Sequence, residues 1–529
     1  MFKPIIAIAL VAGVCAGGDP TADTPQIVEL YPNSVAEGTA GEFVTVTVPA
    51  NTTLSEYSLT DETARGELST TNRSGRHQVT FAATPELTRA LTDRTVRPLP
   101  DGIRLADDGD RVRLLRAGTV IHSVAYDGPA TEGDVYDTQA NEWHPLGATD
   151  RAVTGTTANR AELFVLPDAA DRAQSLLTRA DTRILLGGYT LTSTAIVDRL
   201  VAAHQRGVCV RVLVEGGPVG GLPASGAAAL DRLEQAGIDV RVLAGDRARY
   251  RYHHAKYAVV DDQAFVTTEN WKPTGVGGRA NRGWGVIVRN RAVVNELVGV
   301  FNHDTSWVDA IEWSDADPTV VESDQRTDDY PSVFSNKTVA IERVELLVAP
   351  DNAADRITEL IATVDHRLAV LQPTVSDRGF PFVDAVIDAA ERGVTVRVLL
   401  SSAWYVEEHN RRLAAWLRDQ ASARGLDLAV RVADPDGAFD TVHAKGLIAD
   451  NQVIVGSINW SNNSIRHNRE VAVVLHGKAA AEYYHSVFTT DWADGTDQIV
   501  PAGLLAAAVV AAVIAAGVAR RIQFRSETK

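Results

Sequence analysis

One segment of the chain occurs twice. The run from Ile196 to Leu213 returns 186 residues later as the run from Phe382 to Leu399. Each copy reads as a helix that ends at a glycine and is followed by a buried strand rich in valine and leucine. Alternation of helices with apolar strands predicts an α/β layered fold. Two such copies are expected to form either two similar domains or one pseudo-symmetric unit.

Each copy ends with the same set of polar residues. A histidine and a lysine stand two positions apart, an aspartate follows, and an apolar strand then leads to an asparagine. Residues two apart on a strand point to the same face, so the imidazole and the ammonium group are expected to face one site. The candidate residues are His254, Lys256, Asp261 and Asn270 in the first copy, and His443, Lys445, Asp450, Ser457, Asn459 and Glu470 in the second.

These residue types suit displacement at a phosphodiester, where catalysis consists chiefly of positioning and of charge stabilisation. Two lysines and two asparagines can hold the non-bridging oxygens. One neutral histidine would attack phosphorus while a protonated histidine on the far side donates to the leaving oxygen. Water activated by the second histidine would then release the phosphohistidine. This scheme requires no metal and no cofactor.

The twin H-x-K-x4-D motifs on an α/β repeat resemble the phospholipase D superfamily, which includes phospholipases, cardiolipin synthases and nucleases. The similar part of the chain is 160–495. The resemblance implies that two half-sites meet across a pseudo-twofold axis and that the aspartates are more structural than catalytic. It favours His254 as the nucleophile, although the residues themselves leave that choice open. The implied half-sites are His254, Lys256 and Asn270, and His443, Lys445 and Asn459.

The first copy departs from the family pattern. Thr267 and Thr268 replace a Gly-Ser pair, and Gly283 stands where the second copy has Glu470. Threonine hydroxyls can take the place of serine, but the missing carboxylate has no evident substitute. We therefore expect an altered first half-site.

Residues 24–148 differ from the rest of the chain. Phe43 to Val48 alternates as a strand does, and further short strands follow between turns rich in glycine and aspartate. A small β-sandwich is the simplest interpretation. The runs Ala40 to Val44, Leu59 to Asp61 and Leu105 to Val112 resemble the lamin-tail domain, an immunoglobulin-like sandwich. This resemblance implies a binding or spacing module.

The two ends of the chain carry apolar runs. Residues 1–18 have the order of a secretory signal, with a lipobox ending at Cys15 as the alternative. Residues 499–519 are uncharged and about as long as a bilayer-crossing helix, and arginines follow them. A buried core helix is the other interpretation. The prediction is therefore a single-pass cell-membrane protein with its N-terminal part outside.

The predicted fold class is multidomain: an immunoglobulin-like β-sandwich, a pseudo-twofold pair of α/β phospholipase D-like domains and one C-terminal transmembrane helix. The predicted order is a signal peptide (1–18), a lamin-tail-like sandwich (24–148), a first phospholipase D-like domain (158–310), a linker (311–340), a second such domain (341–495), a transmembrane helix (499–519) and a cytoplasmic tail (520–529).

Charge narrows the choice of substrate. The chain has 51 basic and 68 acidic residues, a net charge of −17, and only 7 of the basic residues are lysines. An acidic, lysine-poor composition is typical of a protein working in high salt, and it argues against tight binding of polynucleotides.

Three functions stay open. The first is an outward-facing, membrane-anchored phosphodiesterase that hydrolyses or transfers phosphodiesters and prefers phospholipid head groups. The second is an extracellular nuclease that uses the same site on DNA or RNA. The third is a non-catalytic surface binding protein. The predicted partners are a phosphodiester substrate and the membrane, and the sequence predicts no particular protein partner.

Overall fold

A computed structural model describes residues 24–494, except 35, 37, 71–73, 90, 93, 245–248, 308, 323–329 and 436. The chain divides into two compact units, one up to Leu146 and one from Gly147 onward. The predicted signal peptide (1–18) and cytoplasmic tail (520–529) lie outside the described residues.

The first unit consists of two β-sheets. One has the strand order β10-β9-β1-β2-β5-β6 and the other β4-β3-β7-β8. Apolar side chains of both sheets, such as Val46 and Leu114, share one core, so the unit is a β-sandwich. Its resemblance to the lamin-tail domain stays a prediction. The elements are β1 (Gln26–Tyr31), β2 (Phe43–Val48), β3 (Tyr57–Thr60), β4 (Arg65–Glu67), β5 (His77–Ala82), α1 (Pro85–Arg89), β6 (Thr95–Pro98), β7 (Gly109–Arg116), β8 (Thr119–Asp127), β9 (Asp134–Asp137) and β10 (Glu142–Pro145).

The second unit contains both copies of the repeat. The first half comprises β11 (Thr154–Thr157), β12 (Arg160–Leu166), α2 (Arg172–Thr178), β13 (Arg183–Gly188), α3 (Thr194–Gln205), β14 (Cys209–Glu215), β15 (Leu222–Pro223), α4 (Ala224–Gln235), β16 (Asp239–Leu243), β17 (Tyr257–Val260), β18 (Gln263–Thr267), β19 (Gly283–Val288), α5 (Arg291–Ser306), β20 (Ala310–Glu312) and β21 (Val320–Val321). The second half comprises β22 (Lys337–Ala340), β23 (Arg343–Ala349), α6 (Ala353–Ala362), β24 (Arg367–Gln372), α7 (Pro381–Glu391), β25 (Thr395–Leu400), α8 (Glu407–Arg424), β26 (Leu428–Val432), β27 (Gly446–Ala449), β28 (Gln452–Gly456), a π-helix (Asn463–His467), β29 (Glu470–His476) and α9 (Lys478–Asp494).

The two copies build sheets with corresponding strand orders, and the first sheet has one additional edge strand, β20. The first sheet runs β20-β16-β14-β13-β17-β18-β19-β12-β22, and the second runs β11-β23-β29-β28-β27-β24-β25-β26. Each sheet takes one edge strand from outside its own copy, because β22 pairs with β12 and β11 pairs with β23. The two copies therefore form one interlocked, pseudo-symmetric unit.

Apolar layers explain this arrangement. Helices α2, α3 and α4 pack on one face of the first sheet, and α6, α7 and α8 pack on one face of the second. The other faces of the sheets share a single core together with α5 and α9. Strands buried on both faces have to be continuously apolar, which accounts for runs such as Tyr257–Val260.

The predictions of a C-terminal transmembrane helix and of a single-pass membrane location are corrected here. Within the part of the chain that the structure describes, no helix is both long and apolar enough to cross a bilayer. The longest of these helices, α8, has 18 residues but carries charges such as Glu408 and Arg412 along its length. The segment 499–519 on which the prediction rested lies outside the described residues.

Candidate active site

The two histidine-lysine pairs lie at corresponding edges of the two sheets. His254 and Lys256 directly precede β17, and His443 and Lys445 directly precede β27. Because β17 runs antiparallel to β13, and β27 to β24, these residues lie at the carboxyl ends of the central parallel strands. That edge is where open α/β sheets bind their ligands.

Main-chain hydrogen bonds tie each histidine to the other copy. The His254 N–H donates to the carbonyl oxygen of Arg469 at 3.0 Å. The His443 N–H donates to the carbonyl oxygen of Arg282, also at 3.0 Å. The symmetric bonds bring the two half-sites together across the pseudo-twofold axis.

Each imidazole is also paired with a buried carboxylate of the other copy. Nδ1 of His254 lies 2.9 Å from both carboxylate oxygens of Glu470. Nδ1 of His443 lies 2.9 Å from Oε1 of Glu269. A carboxylate at Nδ1 favours the tautomer protonated there and leaves Nε2 free to react.

Both rings lie deep in the site. Their side chains are 12% and 18% exposed. Burial lowers the pKa of His254 and of His443 to about 4, and the paired carboxylates act against this shift. Both rings are therefore neutral at pH 7 until a bound anion favours protonation of one of them.

Two buried ammonium groups adjoin the histidines. Lys256 is 0% exposed and Lys445 is 2% exposed. Each Nζ donates to the carbonyl oxygen of the histidine two residues earlier, at 2.7 and 2.6 Å. Burial lowers the pKa of Lys256 and brings that of Lys445 to about 8, against the effect of the nearby carboxylates. An ammonium group has three N–H donors, so each lysine keeps two for phosphate oxygens.

The asparagines follow the strands that return to this edge. Thr267, the last residue of β18, donates its N–H to the Lys256 carbonyl at 3.1 Å, and Asn270 lies three residues further on. Asn459 holds the same place after β28. Neither side chain hydrogen-bonds to a histidine within the described residues, and Oδ1 of Asn270 is buried without a hydrogen-bond partner there. Asn270 is therefore available to a bound group.

The motif aspartates lie away from the histidines. Asp261 and Asp450 follow β17 and β27, in turns where their φ angles are 52° and 50°. The Asp261 carboxylate accepts three main-chain N–H bonds from residues 181–183, at 2.8 to 3.0 Å. Asp450 does the same with residues 365–367. Each aspartate lies five residues beyond its lysine, about 16 Å along the strand, so both hold the chain rather than the substrate.

The Ser457 side chain joins the end of β28 to the neighbouring strand β29. Its hydroxyl donates to the carbonyl oxygen of Val471 at 3.2 Å and accepts from that residue's N–H at 3.0 Å. In the first copy the Thr268 hydroxyl accepts from the Trp284 N–H at 2.9 Å. The Thr268 hydroxyl thus accepts the main-chain hydrogen bond that Ser457 accepts in the second copy.

Glu269 is the site residue that the motif comparison missed. We expected the first copy to lack a carboxylate because Gly283 replaces the glutamate of the second copy. The structure corrects this expectation, because Glu269 carries the carboxylate that binds His443. The available signal was a lone glutamate directly before Asn270, at a position where the second copy has the apolar Ile458.

Arg469, directly before Glu470, is fully buried. Its guanidinium pairs with Asp304 at 3.1 Å and Asp351 at 3.2 Å, and it donates to the Tyr250 hydroxyl. Arg282 is buried in the same way against Asp168 and Asp491, at 2.7 and 3.0 Å. Both arginines therefore belong to the framework that joins the two copies.

Two loops border the histidines. The loop after β14 is tied to the site because the Val219 N–H donates to the hydroxyl of Tyr189 at 2.7 Å, and the Tyr189 ring lies 4.9 Å from the His254 ring. The loop after β25 carries Trp404 and Tyr405. It leaves the second sheet at the edge where His443 lies. Val219, Trp404 and Tyr405 are 75%, 89% and 60% exposed, so both loops present apolar groups to solvent.

Known proteins share this architecture. The family model for the cardiolipin synthase, phospholipase D-like domain matches residues 174–305 and again residues 357–492. Phospholipase D Z of Dictyostelium discoideum is 25% identical over 377 residues, which cover 61% of this chain and 84% of that protein. Among solved structures, a phosphatidylserine synthase of Haemophilus influenzae matches with a TM-score of 0.50 at 15% identity, covering 63% of this chain and 87% of the other. At this identity the structural match shows a shared fold alone.

Proposed function

The chain belongs to the phospholipase D-like family, whose model matches half of it in two copies, and from this premise we propose that it is a phosphodiesterase working through a phosphohistidine. One observation carries the proposal. Two histidines from different copies each have Nδ1 bound to a buried carboxylate of the other copy, beside two buried lysines. Such a pair can supply a nucleophile and an acid on opposite sides of one phosphorus atom.

In the proposed first step, neutral Nε2 of His254 attacks phosphorus and a P–N bond forms. The P–O bond to the leaving group breaks, and the leaving oxygen takes the proton from Nε2 of protonated His443. Lys256 and Lys445 bind the non-bridging oxygens and stabilise their charge. The choice of His254 as nucleophile follows the family resemblance.

The second step returns the enzyme to its starting state. His443, now neutral, takes a proton from water while the water oxygen attacks phosphorus. The P–N bond to His254 breaks, and the phosphate monoester leaves. An alcohol in place of water would give transfer by the same route.

The entrance favours a lipid substrate. Phospholipid head groups are presented at a boundary between water and hydrocarbon, where tryptophan and tyrosine side chains are stable. The exposed Trp404, Tyr405 and Val219 would lie in that boundary while the phosphodiester reaches the histidines. The net charge of −17 does not favour a nucleic acid.

A nuclease is the second candidate, because the same exposed aromatic side chains can stack on nucleobases. A non-catalytic binding protein is less well supported, since each histidine has a carboxylate partner. Purified full-length protein should therefore be offered phospholipid vesicles and single-stranded DNA in parallel. His443→Ala is the test variant, and His366→Ala, at an exposed histidine, is the matched control.

We expect head-group release that falls by a factor of about 10³ in His443→Ala and is unchanged in His366→Ala. Trp404→Ser should slow cleavage in vesicles several-fold but leave a soluble chromogenic diester unaffected. Val120→Ser, at an exposed valine of the β-sandwich, serves as its control. Cleavage of DNA alone would establish the nuclease, and no turnover of either substrate would leave the binding protein.

Trapping can assign the two histidines. A diester with a good leaving group needs little help from an acid, so His443→Asn should form the covalent intermediate and fail to hydrolyse it. An acid-labile phosphoryl group on His254 is the expected product. A phosphoryl group on His443 in the matching His254→Asn variant would reverse the assignment.

A further inference from the structure

We propose that Glu269 is the positioning residue of His443, and that it replaces, from the neighbouring strand, the glutamate that the first copy lacks at position 283. This inference rests on the proposed function. It concerns how the second half-site stays complete although the first copy has lost the family's carboxylate position.

In the two copies the glutamate stands at opposite positions of two paired strands. Thr267 pairs with Gly285 across β18 and β19, and Gly456 pairs with Ala472 across β28 and β29. Two residues further along, this register sets position 269 against 283 in the first copy and Ile458 against Glu470 in the second. Side chains at such opposed positions lie on the same face of a sheet. A carboxylate from either strand can therefore reach the same point.

The space at Gly283 fits this exchange. A Cβ atom added to Gly283 would lie only 2.2 Å from Cγ of Glu269. The Glu269 side chain thus occupies the room that a side chain at 283 would need. The first copy therefore combines a glutamate at 269 with a glycine at the opposed position 283. The second copy combines a glutamate at 470 with an isoleucine at the opposed position 458.

In both copies an asparagine side chain donates a hydrogen bond to the carboxylate. Nδ2 of Asn468 donates to Glu470 at 3.0 Å, and Nδ2 of Asn281 donates to Glu269 at 3.1 Å. These asparagines occupy corresponding places, two residues before Glu470 and two before Gly283. The supporting asparagine thus has the same place in both copies, whereas the carboxylate comes from opposite strands.

The charges around Glu269 suit this role. Its carboxylate is fully buried, which would raise its pKa, but His443, Lys445 and the hydrogen bond from Asn281 outweigh burial and lower the pKa below its ordinary value. Glu269 is therefore an anion in the site. It can orient His443 and stabilise that ring when it carries a proton, as Glu470 can for His254.

The test is an exchange of positions. Glu269→Gln keeps the shape but loses the charge, and Glu269→Ala removes the carboxylate. Gly283→Glu alone should disturb the site because its side chain meets Glu269. The double variant Glu269→Ala/Gly283→Glu reproduces the arrangement of the second copy and should restore activity.

We expect Glu269→Gln and Glu269→Ala to lower kcat by about 10²-fold or more with little change in KM. The double variant should recover to within about tenfold of the natural protein. The proposal is overturned if Glu269→Ala keeps its activity, or if the double variant folds and is no better than Glu269→Ala.

A readout independent of turnover separates this inference from the proposed function. The charged groups around His443 are Glu269, Lys445 and Lys256. Loss of Glu269 should lower the pKa of His443 in an NMR titration, and Gly283→Glu in the double variant should raise it again. If the pKa responds in this way but no phosphodiester is cleaved, Glu269 holds His443 and the proposed function fails. If the natural protein is active and neither pKa nor kcat responds, Glu269 has no such role.

Discussion

The aspartate of the first motif offers a sharp test, because its position in the structure predicts loss of stability without loss of chemistry. The Asp261 carboxylate accepts the N–H groups of residues 181–183 and the Thr182 hydroxyl, at 2.7 to 3.0 Å. Burial alone would raise the pKa of Asp261, but these hydrogen bonds lower it below its ordinary value. The carboxylate therefore joins the β17–β18 turn to the start of β13.

The magnitude follows from these four bonds. A hydrogen bond contributes about 0.5–1.5 kcal/mol net, and the exposed setting places these at the lower end. The φ of 52° adds about 1 kcal/mol of strain for alanine, whereas asparagine tolerates this conformation. Asp261→Ala should therefore cost about 3–4 kcal/mol. Asp261→Asn keeps Oδ1, which accepts three of the four bonds, and should cost about 1–2 kcal/mol.

Denaturant titration measures the free energy of unfolding, and turnover of a soluble diester measures kcat per folded molecule. Asp262→Ala, at the exposed neighbouring aspartate, is the matched control and should change neither quantity. We expect kcat within about twofold of the natural protein in all three variants. A large loss of kcat in Asp261→Asn at unchanged stability would refute the reasoning, since the carboxylate would then act on the reaction.

Two further predictions concern buried charge. The pKa of His254 and of His443 falls from an ordinary 6.5 to about 4 on folding. Between these pH values the unfolded chain therefore binds more protons than the folded chain. The free energy of unfolding should be at its full value above pH 6.5 and should decline as the pH falls toward 4. His443→Asn should reduce the steepest slope of this decline by about 1.4 kcal/mol per pH unit in denaturant titrations, and an unchanged slope would contradict a neutral buried ring. Arg469→Met should destabilise by about 3–5 kcal/mol because Asp304 and Asp351 would stay buried without their cation. Arg412→Ala, which breaks an exposed ion pair whose partners are 69% and 87% exposed, should cost less than about 0.5 kcal/mol, so equal losses would count against the buried network.

The sequence predicted the parts of this molecule that repeat. A second copy of the helix-strand pattern 186 residues later is enough to predict two similar α/β sheets. Its motifs also identify the histidine-lysine pairs. The exchange of edge strands β11 and β22 could not be predicted from the sequence, because four-residue strands have no periodicity that distinguishes them from loops. The predicted linker 311–340 in fact contains β22.

Contacts between residues far apart in the chain could not be predicted from the sequence either. Nothing near Arg469 in the chain indicates that it is a buried ion-pair residue, because its partner Asp304 lies 165 residues earlier. The membrane prediction rested on composition at 499–519 alone, and no described helix supports it.

Glu269 shows why comparing the two copies position by position is insufficient. The proposed reaction requires an anionic oxygen near Nδ1 of each histidine, and this requirement fixes a point in space rather than a place in the chain. Two opposed strand positions lie next to that point, so a glutamate at either position can supply the oxygen. Glycine at 283 fits a glutamate at 269, because a side chain at 283 would collide with Glu269. Since each carboxylate acts on the histidine of the other copy, neither copy alone contains a complete half-site, and each copy has to keep its carboxylate for the histidine of the other copy to be held.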